Sequence, residues 1–144
     1  MYDNDNIFAK IIKGQIPCKK IYEDGDVLFF EDINPASKVH VLGVPKVKCV
    51  DFSDFVYNNN KDVVDNFFKK INVVIEKLGI KDSGYRIITN SGSDGGQEVP
   101  HFHVHILGGE KMGLKIKWLI LFYNNVIYYF FYTLNSFNSI NKIF

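Results

Sequence analysis

What the chain lacks narrows the field first. Its two cysteines, Cys18 and Cys49, stand in neither metal-ligand nor dithiol spacing, so both read as reduced thiols. The net charge is only +1, which excludes a broad basic footprint for nucleic acid. Acidic residues stop at Glu110, while Lys111, Lys115, Lys117 and Lys142 still follow. With those four set aside, residues 1–110 carry −3. A small anionic ligand would therefore need a local pocket, not a field spread over the surface. The opening Met1-Tyr2-Asp3-Asn4-Asp5-Asn6 is polar and acidic, the reverse of a signal or transit peptide. A cytoplasmic location is expected, with the nucleus also open to it. No internal repeat is visible.

What is present suits one folded domain. Hydrophobic residues make up 47% of 144, enough to bury a core at this length. Asp5 or Asn6 can cap a short helix through Ile7, Phe8, Ile11 and Ile12, with Gly14 as its stop and Pro17 beyond. Val27 to Phe30 and Val39 to Val44 read as strands, separated by a polar turn at Glu31 to Pro35. From about Lys61 to Leu78, Val64, Phe67, Phe68, Ile71, Val74, Ile75 and Leu78 recur at three- and four-residue steps. That spacing predicts one long amphipathic helix, closed by Gly79. Tyr85 to Thr89 and His101 to Leu107 are two further strands, joined by a Gly/Ser/Asp/Asn loop over 90–96. Strands on both sides of a long helix predict an α+β fold.

The sharpest signal is His101-Phe102-His103-Val104-His105-Ile106-Leu107. Alternate strand residues share a face, so three of the chain's four histidines line one side while Phe102, Val104 and Ile106 face a core. Three purely structural histidines on one face would each need buried partners, which makes that reading the weakest. Zinc is a second reading, since imidazole is a common ligand and His40 could complete a set. No Asp, Glu or Cys lies within the motif itself, so zinc ranks lower. The third reading is nucleophilic attack on phosphorus by a neutral imidazole. Such chemistry needs positioning and charge stabilisation at the nonbridging oxygens. The loop from Asn90 to Gln97 has the glycines that let backbone N–H groups approach an anion.

These residues resemble the histidine-triad (HIT) superfamily, and the stretch from Asn90 to Gly109 resembles its Hint branch, the histidine-triad nucleotide-binding proteins. Ile7 to Pro17, Phe30 to Pro35 and His40 to Lys46 are similar to the same branch, so the likeness spans roughly residues 5–113. The resemblance implies a HIT-like α+β fold: an antiparallel sheet of about five strands, one long and one short helix, and a homodimer. It implies hydrolysis of purine nucleoside phosphoramidates, such as AMP joined to an amine, through a nucleotidyl-histidine intermediate, with no cofactor required. Carried over, His103 is the nucleophile, His105 contacts the α-phosphate and helps protonate the departing group, and His101 and His40 orient the catalytic ring. Asp32 would bind the ribose hydroxyls, with Ile33 beside it. Asn90, Gly96, Gln97 and Glu98 would lie on the phosphate side, and Ile7, Phe8, Ile11, Phe30 and Leu42 would wall the base. Some family members carry serine at the position of Glu98, whose carboxylate would repel a phosphate. Two rival functions remain: a nucleotide-binding adaptor with vestigial catalysis, and a dinucleoside polyphosphate hydrolase.

The likeness ends at Met112-Gly113. Residues 1–113 are expected to form the histidine-triad domain, and 114–144 an atypical hydrophobic tail. No proline follows Pro100, and Trp118 is displaced from the family's tryptophan. From Leu119 onward nearly every residue is Phe, Tyr, Ile, Asn, Lys or Leu, as translation through A/T-rich non-coding sequence would give. A membrane anchor over Trp118 to Leu134 and an extra packed element are the alternatives.

Overall fold

The computed structural model describes residues 2–113; the expectations for 114–144 lie outside the described residues. The elements run α1 (Ile7–Ile12), β1 (Lys20–Glu23), β2 (Val27–Glu31), β3 (Val39–Pro45), α2 (Phe52–Asn58), α3 (Lys61–Lys77), β4 (Tyr85–Ile88) and β5 (Val104–Gly108). The five strands form one antiparallel sheet in the order β1-β2-β3-β5-β4. The α+β architecture matches expectation. Two short helices stand in place of one, because α2 fills the turn before α3. Among the described residues no helix is long and apolar enough to cross a membrane.

Local chemistry sets these boundaries. Asn6, Asp51 and Asn60 cap α1, α2 and α3, each accepting from the N–H three residues on. Gly79, at φ +66°, takes the left-handed turn after α3, where a Cβ would be strained. The α3 stripe buries Phe67, Ile71, Val74 and Ile75, whereas Phe68 turns to the surface.

Strand alternation then divides the sheet into two faces. Phe29, Val41, Val104 and Ile106 pack under α2 and α3 with Phe55, Phe67 and Phe102. Leu28, Phe30, Leu42 and Val44 pack on the other face against Phe8 and Ile11 of α1. Gly43 is required between them, since a Cβ there would lie 2.4 Å from the Phe29 ring. The expected strand from His101 begins only at Val104. Residues 101–103 are held instead by His101 N–H to Val99 and Phe102 N–H to Cys49. Phe102 nevertheless points into the α2–α3 core, so the sidedness of the motif survives outside the ladder.

Candidate functional site

A cavity of about 650 Å³ opens on the α1 face of the sheet, within the size range of small-molecule sites. His40 on β3, His103 just before β5 and His105 within it line one part. Ile7, Phe8, Ile11, Phe30 and Leu42 line another, and Asp32, Ile33, Asn90, Gly96 and Glu98 line the rest. Ile33 is 88% exposed and Ile7 44%, an apolar rim that a ligand would cover. The sequence reading missed Ile16, Asn34 and Val99, which also line the cavity. Their only local signal was position, just past α1, beside Asp32 and before the histidines.

Two expected residues do not reach the cavity. His101 is 0% exposed and lies behind it, its Nε2–H donating to the Pro45 carbonyl at 2.8 Å. Gln97 holds the loop: its amide donates to the carbonyls of Val50 and Val99, and its carbonyl accepts from Gly92 N–H. The loop cradle is also smaller than expected. Gly92, Gly96 and Gln97 all spend their N–H groups inside the loop, whereas the Glu98 N–H has no acceptor among the described residues.

Hydrogen bonds assign the ring protons. His103 Nδ1 lies 2.7 Å from the His101 carbonyl, which can only accept, so Nδ1 carries the proton. Its Nε2 then holds a lone pair and takes no partner among the described residues. The ring stands edge-on to Phe8 and His105, and Thr89 Oγ1 donates to the His103 carbonyl at 2.8 Å. On β3, His40 Nδ1 accepts from Ala36 N–H at 3.1 Å, so its proton sits on Nε2. That Nε2–H faces His105 Nδ1 at 2.9 Å and Asp32 Oδ2 at 3.4 Å. With Nδ1 accepting, His105 carries its own proton on Nε2. The cavity thus meets a lone pair on His103 and a donor on His105. The His101 backbone carbonyl, rather than its ring, orients His103, and His40 orients His105.

Burial keeps all four rings neutral. It lowers His40 and His103 below the ordinary imidazole value and takes His101 and His105 down to about 4. The hydrogen bond to the His101 carbonyl, then attraction to Asp32 and Glu98, offsets part of this at His103. The same burial predicts acid sensitivity of the fold. Between about 6.5 and about 4 an unfolded His101 binds a proton that the folded one refuses, so stability falls as pH drops through that window. The loss from His101 is about 3 kcal/mol, with His105 adding in the same direction. Urea unfolding at stepped pH would measure it, and an unchanged midpoint from pH 7 to 4.5 would refute it.

Metal is the other chemistry to consider. One atom each of Asp32, His40 and His105 lie within 4.8 Å of one another. A metal on His40 Nε2 would push the ring proton onto Nδ1, facing the Ala36 N–H donor-to-donor. The set does not fit a metal without rearranging that turn.

Comparison with known proteins shows the family. The family model described as HIT domain matches residues 13–112. An uncharacterized HIT-like protein of Rickettsia prowazekii is 43% identical over 112 residues, covering 78% of this chain and 93% of that one. A 14 kDa zinc-binding protein of Zea mays is 40% identical over 111 residues, covering 76% and 86%. Among solved structures, a HIT family hydrolase from Clostridium thermocellum superposes with TM-score 0.70 at 43% identity, covering 79% of this chain and 98% of that one.

Proposed function

The chain belongs to the HIT domain family, and on that premise we propose that it hydrolyses the phosphorus–nitrogen bond of purine nucleoside phosphoramidates, the chemistry of the Hint branch. The observation that carries the reading is the His103 tautomer: Nδ1–H spent on the His101 carbonyl, lone pair left on Nε2. A neutral imidazole so fixed is a nucleophile that needs no prior deprotonation.

In this reading the purine lies against Ile7, Phe8, Ile11, Phe30 and Leu42, and the ribose hydroxyls meet Asp32 beside Ile33. Asp32 Oδ1 already accepts from Asn34 N–H at 2.8 Å, which fixes the carboxylate plane. His103 Nε2 attacks phosphorus as the P–N bond breaks, and the amine leaves with a proton drawn from water. His105 is neutral, so it serves as a hydrogen-bond donor to a nonbridging oxygen more than as a strong acid. The hydroxide left by that proton transfer then attacks the nucleotidyl-imidazole, releases the nucleoside monophosphate and returns His103 to its starting form. Asn90, Gly96 and the Glu98 N–H flank the phosphate, with Gln97 bracing the loop. The scheme requires no metal. Incubation with an adenosine phosphoramidate should release AMP and give a transient AMP adduct on His103 in rapid-quench mass spectrometry. Absence of both would overturn the assignment.

We place the protein as a homodimer in the cytoplasm, with no nucleic-acid partner. Support for the dimer comes from β4, a sheet edge on which Tyr85 and Ile87 are each 43% exposed and Ile88 36%. Such an edge invites pairing with a second copy. Ile87→Lys should convert a dimer to a monomer in analytical ultracentrifugation at micromolar concentration. A wild-type monomer under the same conditions would refute the dimer.

A further inference from the structure

Tyr2 lies five residues before the first helix, yet it reaches a histidine 99 positions away. Its hydroxyl is 2.5 Å from His101 Nδ1, and the two rings meet edge-on at 5.6 Å between centroids. His101 Nε2–H is committed to the Pro45 carbonyl, so Nδ1 must accept and the phenol must donate. The segment that presents Tyr2 is itself pinned. Asp3 Oδ1 accepts from Asp5 N–H, and the Asp3 carbonyl accepts from the Asn6 side-chain amide and backbone. Burial also raises the Tyr2 phenol above its ordinary value, so the donor proton stays in place at neutral pH.

The geometry points to Tyr2 as a positioning residue: its hydroxyl locks the His101 ring so that the His101 carbonyl stays aimed at His103 Nδ1. The inference rests on the reading of His103 as nucleophile. His101 has no solvent to turn to, and without the phenol its Nδ1 is a buried acceptor with no partner. The ring can relieve that only by moving its proton or rotating, and either breaks the Pro45 bond. Residues 101–103 lack ladder pairing, and the peptide plane that carries the His101 carbonyl is held by the Phe102 N–H bond to Cys49, so a displaced ring strains that contact and turns the carbonyl with it. The bond that fixes the His103 proton then loosens, and with it the aim of the Nε2 lone pair.

Tyr2→Phe tests this, since it keeps the ring and removes only the hydroxyl. Ring 15N spectra of wild type should show His101 protonated on Nε2 and His103 protonated on Nδ1. In the variant, exchange of the His103 Nδ1 proton should accelerate about tenfold, and kcat should fall about three- to tenfold with KM within twofold. A purely structural role would lower the melting temperature and leave the His103 exchange and kcat alone. Unchanged His103 exchange in the folded variant overturns the inference, and so does altered exchange with unchanged kcat. Should wild type prove inactive on phosphoramidates, the proposed reaction falls and the exchange comparison alone decides the role of Tyr2. If Tyr2→Phe does not fold, 3-fluorotyrosine at position 2 strengthens the donor while keeping the hydroxyl. It should shift the His101 Nδ1 signal and slow the His103 exchange; no change in either overturns the inference.

Discussion

His103→Asn should lower kcat/KM for an adenosine phosphoramidate on the order of 10⁴-fold or more, while AMP affinity changes by only a few-fold. Both halves follow from the geometry. Asparagine offers no nitrogen lone pair of comparable nucleophilicity, so the covalent step disappears, and removing a nucleophile costs this much in well-studied covalent enzymes. The apolar wall, Asp32 and the His105 donor remain, so binding persists. Equilibrium titration with AMP and steady-state assays separate the two effects. A variant that keeps more than a few per cent of wild-type turnover would remove His103 from the chemistry. Full rescue of a cellular phenotype by that variant would favour the adaptor reading instead.

Phe102→Ala should be the most damaging single core truncation, costing about 3–5 kcal/mol. The Phe102 ring stacks on Phe55 at 4.6 Å and meets Phe67 at 5.4 Å, in a cluster fully shielded from water. Domains of this size have about 5–15 kcal/mol in total, so the variant would melt roughly 15–25 °C lower. The position also matters to the cavity, because Phe102 sits between His101 and His103 and its N–H bonds the Cys49 carbonyl at 2.9 Å. Calorimetry would check the stability, and a shift under about 3 °C would refute it. Phe102→Leu keeps most of the volume and should lose much less.

Much of this was legible because side-chain alternation is a property of extended backbone, whatever its hydrogen bonds. Phe102 and His103 lie outside the β5 ladder, yet their alternation already separated core from cavity, although His101 is buried behind that cavity. The α3 stripe was readable for the same kind of reason, a period matched to one buried face. Strand β1 was not readable: Lys20-Ile21-Tyr22-Glu23 is short, half-charged and stays at a sheet edge. Helix α2 buries only Phe55, too little to create a periodic signal. The roles of Tyr2 and Gln97 depend on bonds to residues distant in sequence, and no local pattern announces such partners. The glycine-rich loop misled in one respect, since composition cannot tell N–H groups facing a ligand from those closing the loop on itself.

The strand order has a consequence for how this protein comes into being. β5, last in sequence of the described strands, inserts between β3 and β4, and β4 pairs with no other strand among the described residues. A nascent chain that has not yet released residue 108 therefore lacks the centre of its sheet and leaves β4 unanchored. The segment that completes the fold also delivers His103 and His105, so no half-made chain carries an assembled cavity.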